Sequence, residues 1–431
     1  MLYKLLRARR KLRKNPYKKM DELEKLQLKE LKKEVHIAYE NTEYYHRLFD
    51  SLGLKPDDIN TKEDLRKLPL TKKSTLRYNN MISKEVKDTK LIRVTTSGST
   101  GEPVEIFFTE NDIAIVAATA SRVSEAAGLR TLKDRVAQLL MIGPFIGATL
   151  VKTLFGGIVK LLAKVKMISI KKPLPEIVEE LLKYDPTLLS VYPSVAYSIG
   201  QYMADHDLEF PHLRTVVTGS EILNDKIRRG IEESLNAEVF DAYGITEINV
   251  FGYECSEHMG LHTNIDTAIM EVVDKNNEPV AEGERGRLIL TPLMREAMPL
   301  IRYDTRDIVR AGGNECSCGR TFPLIDVIEG RAEDIIRLPA GELVYPQIVI
   351  GELGDILQLE NYQVIQPQRD KIEVYLVKGK DFSDRTAEKV ERICGELFKG
   401  ADLKVRFTEK IKETPSARTR HIISNVGEEV S

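Results

Sequence analysis

The segment Thr187–Gly244, TLLSVYPSVAYSIGQYMADHDLEFPHLRTVVTGSEILNDKIRRGIEESLNAEVFDAYG, sets three short β-rich runs around two stretches of helical length. TLLSVYP, TVVTGS and EVFDAYG are rich in β-branched and apolar residues and end on Pro, Gly or Ser, the punctuation of buried strands. Strands alternating with such helices predict crossover connections and a largely parallel sheet. The alternation extends upstream through strand LIRVTT (Leu91–Thr96), strand VEIFFT, helix NDIAIVAATASRVSEAAG, strand RVAQLLMIG and helix LPEIVEELLKY. Before it, apolar residues at helical spacing (Leu23, Leu26, Leu28, Leu31, Ala38) open the chain with helices. After about Asn264 the strands shorten and alternate: AIMEVVD, RGRLILTPL, LIRYDTRDIVR, then DIIRL paired with ELVYP. The closing stretch reads as strands YQVIQPQ and KIEVYLVKG, helix DRTAEKVERICGELFKG and strand LKVRFTEKI. The expected fold is α/β, with a large amino-terminal domain (1–329) of mixed sheets. A small, mobile α+β carboxy-terminal domain (330–431) follows, hinged in GRAEDIIRL.

A chain of 431 residues, 42% hydrophobic and 30% charged, exceeds what one core usually organises. Its net charge of −2 gives no overall attraction to nucleic acid, and none is expected as a partner. The first 19 residues, however, carry nine Lys or Arg and no acid, with Leu2, Leu5, Leu6 and Leu12 loosely on one helical side. That stretch reads either as a solvated basic helix or as a peripheral contact with anionic lipid. No secretory h-region follows it, so the expected location is cytoplasmic, with this contact as its one link to a membrane. The most apolar region, Val136–Val151, is too short and too interrupted by Gln138 and Pro144 to span a bilayer.

Four cysteines do not make a disulfide framework at this size. Cys316 and Cys318 in CSCG, with Cys255 and either His258 or His262 from ECSEHMGLH, offer three thiolates and an imidazole. Such a set suits a closed, structural Zn²⁺ site, with His262 preferred. Cys394, inside VERICGELF, reads as core. The other chemical segment is TTSGSTGEP (Thr95–Pro103), five hydroxyl residues and two glycines between two strands. Its glycines allow close backbone approach, and its N–H groups and hydroxyls can cradle a polyphosphate, although no Walker GK[ST] follows.

Downstream lie AYGITEIN (Ala242–Asn249), RYDTRD (Arg302–Asp307) and GRAEDIIRLPAGELVYP (Gly330–Pro346). As a set with the glycine loop, these resemble the signature series of the adenylate-forming enzymes. The early YENTEYYHRLFDSLGLKPDDINTKEDLRKLPLTKKSTLR further resembles the phenylacetate-CoA ligase and capsule-locus ligase branch. The resemblance implies that Thr96, Ser97, Gly98, Ser99, Thr100 and Gly101 hold the β- and γ-phosphates of ATP. It implies that Gly219, Ser220 and Glu221 wall the adenine site, and that Tyr243, followed by Gly244, stacks on the base. Thr246 then meets the α-phosphate, Glu247 ligates Mg²⁺, Asp307 accepts both ribose hydroxyls, and Arg331 lies near the nucleotide. Glu333 or Asp334 becomes the pivot of the small domain. The family's carboxy-terminal lysine, in a segment like PSGKxxR, is replaced here: TPSARTRHII puts Ala417 for the glycine and Arg418 for the lysine.

The implied reaction is ATP-dependent adenylation of a carboxylic acid to an acyl-AMP, followed by thioester formation with CoA. AMP transfer to another acceptor, such as a cofactor hydroxyl, and a non-catalytic nucleotide or acyl binder are the alternatives. The expected partner is a small carboxylic acid or other acceptor, with a homodimer as a further expectation. The acyl site is expected between Gly143–Gly157, VYPSVAY and YGITE.

Overall fold

The computed structural model describes residues 1–78, 81–86, 89–96, 104–130, 133–140, 164–313, 315–354, 356, 358–379, 381–411 and 420–426. Its first strands are β1 (Ile92–Thr95), β2 (Glu105–Phe108), β3 (Val136–Leu140), β4 (Val165–Ser169), β5 (Leu188–Ser190), β6 (Thr215–Gly219) and β7 (Glu238–Ile245). Next come β8 (Asn249–Tyr253), β9 (Leu261–Thr263), β10 (Ala268–Val273), β11 (Arg285–Pro292), β12 (Tyr303–Ala311) and β13 (Leu324–Arg331). The last are β14 (Ile336–Arg337), β15 (Leu343–Val344), β16 (Leu359–Gln368), β17 (Lys371–Lys378), β18 (Asp402–Phe407) and β19 (Ile422–Ser424).

Eleven strands form one sheet in the order β10-β11-β12-β13-β9-β8-β7-β6-β5-β3-β4. Every pair from β4 to β7 is parallel, and every pair from β7 to β10 is antiparallel. The parallel pairing expected of the strand–helix alternation holds from β4 to β7, and the antiparallel strands make the sheet mixed, as expected of the amino-terminal domain. The strands after Asn264 join the same sheet, because short connections turn the chain back on itself where helices had carried it across. β1 and β2 stand apart as an antiparallel hairpin, Ile92 opposite Phe108. The connection between Thr95 and Glu105 is too short for a crossover.

Helices Leu174–Tyr184, Pro193–Asp205 and Asp225–Leu235 cover the parallel half, burying Ile177, Leu181, Ile199, Met203 and Ile231 against Leu189, Val216 and Val239. A separate core belongs to the carboxy-terminal part: residues 336–422 bury Val349, Leu353, Val364, Val374, Val390 and Phe398 together. There β16 and β17 pair antiparallel, flanked by β19 and β18 in parallel. Cys394 is fully buried on helix Asp384–Leu397, as read from the sequence.

The basic amino-terminal stretch is a helix, Leu2–Leu12, packed on helix Glu110–Ala126 through Ala8, Leu12, Ala114 and Ala118. Small residues at both faces let the backbones approach. Arg122 locks the joint: it grips Asp266 with two hydrogen bonds (2.6 and 2.8 Å) and donates to the Leu12 carbonyl at 2.8 Å. The four leucines do not share one side. Leu5 and Leu12 pack inward, while Leu2 and Leu6 face solvent. The contact with the Glu110–Ala126 helix fixes the rotation. No helix among the described residues is long and apolar enough to cross a membrane.

Candidate active site and metal centre

β7 is the switch point at which the sheet changes from parallel to antiparallel pairing. A cavity of about 1380 Å³ lies there, lined by Thr95, Thr96, Gly219, Tyr243, Glu247, Asp307 and Arg331 among others. Two glycines in its wall are dictated by backbone proximity. A Cβ on Gly219 would stand 2.7 Å from the Ala242 carbonyl oxygen, and one on Gly244 would stand 2.6 Å from that of Asn249. Gly244 thus lets β7 turn tightly into β8, which swings Thr246 and Glu247 into the cavity wall. Ser220 continues β6 with a left-handed φ of 70°. Glu221 accepts the Ser194 N–H at 3.1 Å, at the positive end of helix Pro193–Asp205.

Asp307 lies opposite Arg331 in the β12–β13 register, with Nε to Oδ1 at 3.6 Å, and accepts the Tyr243 hydroxyl at 2.5 Å. Burial pushes its carboxyl up to about 6 despite the Arg331 guanidinium. Burial and the Asp307 charge together push the Tyr243 phenol well up. Glu247 is buried, and one of its oxygens accepts the Tyr303 hydroxyl at 2.8 Å. Among the described residues its other oxygen has no hydrogen-bond partner, so the carboxylate suits a divalent cation facing the cavity. Thr96 accepts the Val104 N–H on its hydroxyl at 2.9 Å, clamping the base of the glycine loop. Ser97, Gly98, Ser99, Thr100, Gly101 and Arg418 lie outside the described residues, as does Gly143–Gly157. At the proposed pivot, Glu333 accepts Arg306 Nε at 3.1 Å, while Asp334 pairs with Arg420.

Three cavity residues were not singled out from the sequence. Lys73 is placed by its neighbour Thr71, whose N–H donates to the Arg302 carbonyl (2.8 Å) and whose carbonyl accepts the Asp304 N–H (3.0 Å). This bridge pins the TKKSTLR segment beside Tyr303, the residue that holds Glu247. Burial lowers the Lys73 ammonium pKa against the pull of nearby Glu247. Among the described residues the ammonium makes no hydrogen bond or ion pair. Asp241 sits two residues before Tyr243 on β7, accepts the Thr218 hydroxyl at 2.7 Å, and is pushed up to about 7 by burial. Tyr303 is the third. The only local signals were the basic pair Lys72–Lys73 and the acid in DAYG.

Away from this cavity, Cys255, His262, Cys316 and Cys318 bring their ligand atoms within 4.8 Å of one another. The Cys255 and Cys316 sulfurs are 3.6 Å apart, close to the edge of about 3.8 Å that Zn–S bonds of about 2.3 Å give a tetrahedron. His262 Nδ1–H donates to the Phe322 carbonyl at 3.0 Å, which leaves Nε2 aimed at Cys318 Sγ, 3.2 Å away. Such an outer partner is how metal-binding histidines are oriented. His258 is instead held between Glu254 and Glu238, each at 3.1 Å. The donor set fits zinc.

A large sheet with a cavity at its switch point and a small α+β unit beside it define an adenylate-forming ligase fold. Over 97% of this chain and 92% of the other, the structure superposes on 2-hydroxyisobutyryl-CoA ligase in the postadenylation state with R3-HIB-AMP, with TM-score 0.82 at 20% identity. Against the same ligase in the thioesterification state with 2-HIB-AMP and CoA the TM-score is 0.67. The family model described as AMP-binding enzyme matches residues 19–291. Phenylacetate-coenzyme A ligase of Thermus thermophilus is 32% identical over 80% of this chain and 78% of its own, and that of Escherichia coli 32% over 83% and 82%. Protein CapK of Staphylococcus aureus is 25% identical over 90% and 86%. The chain belongs to the AMP-binding enzyme family, in its phenylacetate-CoA ligase-like branch.

Proposed function

We propose that this AMP-forming ligase activates a carboxylic acid with ATP and passes the acyl group to coenzyme A. The observation that carries the reading is the convergence of Tyr243, Glu247 and Asp307 on one cavity at the sheet's switch point. Asp307 releases the Tyr243 hydroxyl and receives the ribose hydroxyls, while the Tyr243 ring stacks on adenine. Asp241, on the same face of β7, accepts the adenine amino group. The loop from Thr96 to Gly101 and Thr246 surround the phosphates.

A carboxylate oxygen of the acid attacks the α-phosphorus; the α–β bridging bond breaks, and pyrophosphate leaves with the negative charge. Glu247 is the residue to hold Mg²⁺, which when bound neutralises phosphate charge. Lys73 supplies a fixed ammonium beside it, the role that the family gives to the carboxy-terminal lysine, and Arg418 supplements it. In the second step the CoA thiolate attacks the acyl carbon and AMP departs, with Arg331 beside it. We take the small unit as starting at Gly330 and turning about Glu333 and Asp334 between the steps. Zinc at Cys255, His262, Cys316 and Cys318 is structural.

The test is pyrophosphate release from ATP across a panel of carboxylic acids, with and without CoA. Acid-dependent release without CoA, converted to a thioester when CoA is added, is the expected result. Release that needs a hydroxylated acceptor in place of an acid overturns the acyl reading. ATP binding without release for any acceptor overturns the ligase reading.

A further inference from the structure

The amino-terminal helix has two faces with different tasks. Met1, Leu5, Ala8 and Leu12 turn inward, and Leu5, Leu6 and Arg9 reach the rim of the active-site cavity. The exposed side presents Leu2 and Tyr3, which are 48% and 76% exposed, with Leu6, 57% exposed, at its border with the cavity; beyond the helix, the Tyr17 ring lies under the Arg320 guanidinium. Between them lie Arg7, Arg10, Arg13 and Lys14, all exposed and in no ion pair among the described residues. The acids near this helix are used up on its flanks: Glu110 holds Lys4, Glu125 holds Arg9 and Glu30 holds Lys11.

Leucine and tyrosine interleaved with arginine, and no acid, form the pattern of a helix lying in a bilayer interface. The apolar tips enter the headgroup region while guanidinium groups meet lipid phosphates. We propose that helix Leu2–Leu12 docks the protein on an anionic phospholipid surface and so sets the cavity mouth against the bilayer, where it receives an acid that partitions into lipid. Charge complementarity selects the lipid surface over a neutral protein partner, and the exposed apolar tips select it over nucleic acid. The rigid joint made by Arg122, Asp266 and the Leu12 carbonyl gives the docking a direction, because the helix cannot turn without moving the Glu110–Ala126 helix that lines the cavity. The route of entry rests on the ligase reading; the docking does not.

Flotation of the full chain with phosphatidylcholine vesicles, with and without phosphatidylglycerol, tests the docking. Binding is expected only to the anionic vesicles and to fall with added salt. The double variant Arg7→Glu, Arg10→Glu is expected to weaken it at least about tenfold, and Leu2→Asp, Tyr3→Asp to do the same, both with unchanged thermal melts. No flotation, or flotation indifferent to both variants, overturns the proposal. Pyrophosphate release is then measured with a long-chain acid carried in anionic vesicles and with a short acid in solution. The Arg7→Glu, Arg10→Glu chain is expected to show about a tenfold higher KM for the vesicle-borne acid alone. Equal effects on both acids overturn the orientation of the mouth. Salt-sensitive flotation without release from any acid leaves the docking standing and removes the ligase reading.

Discussion

Lys73 and Glu247 are separated by a long stretch of sequence, yet the Thr71–Tyr303 bridge sets them at the same cavity. The family's lysine is Arg418 here, and arginine offers a broad planar fork where a compact ammonium is expected. Lys73→Ala should cut acid-dependent ATP–pyrophosphate exchange by about a hundredfold or more, the usual cost of a removed transition-state donor, with the thermal melt unchanged. Lys73→Arg should recover part of it, and exchange rates for the three proteins decide the matter. Asp307 gives a second test. Burial pushes its carboxyl up to about 6, so ATP affinity measured by calorimetry should weaken as pH falls through about 6, and Asp307→Asn should flatten that profile. Tyr243, Glu247, Asp307 and Arg331 could be named from local motifs because each sits in a short, distinctive run. Lys73 and Tyr303 could not, because what makes them site residues is a backbone pairing across the chain that leaves no periodic trace.

At the scale of elements, the strands and helices of the crossover half were legible because length and alternation separate them. What stayed hidden was strand order. β9, three residues long, pairs with β8 and with β13, and this joins the late strands to the main sheet. The same arrangement brings the β9 histidine beside the CSCG turn: Leu324 lies opposite His262. The cysteines, and His262 in preference to His258, were readable as candidate ligands; the structure adds the hydrogen bond from His262 to Phe322 that orients the ring. Freshly purified protein should contain one zinc per chain by elemental analysis. Cys318→Ser should lose most of it and lower the melting temperature by several degrees, since an ion held there would join β9 to the turn before β13. His258→Ala should keep the metal, because that side chain is spent on Glu254 and Glu238.

Across the whole molecule, among the described residues, burial raises the pKa of four carboxyl groups: Glu34, Asp241, Asp307 and, beside Arg420, Asp334. Glu34, in the amino-terminal helices, is pushed up to about 8 by burial, although it accepts the Arg295 N–H at 3.1 Å. Asp241 is pushed up to about 7 and Asp307 to about 6. In each case the folded protein holds its proton to a higher pH than the unfolded chain does. Between the ordinary carboxylate range and these values the native state binds more protons, so stability falls as pH rises. The contribution is complete below about pH 4 and is lost as pH rises through about 6 for Asp307, about 7 for Asp241 and about 8 for Glu34. The unliganded protein should therefore melt at a lower temperature at pH 8 than at pH 5.5, against the usual gain that surface ion pairs give as acids ionise. Glu34→Gln, which cannot titrate, should flatten the upper end of that slope, and Asp307→Asn the lower end. ATP with Mg²⁺ should reduce the parts due to Asp307 and Asp241, since nucleotide binding favours both ionised carboxylates, and leave the part due to Glu34. Melting curves of the three proteins across this pH range, with and without nucleotide, separate the active-site carboxyls from the structural one. A melting temperature that rises steadily from pH 5.5 to 8 in all three would mean that the buried acids are already charged in the folded protein.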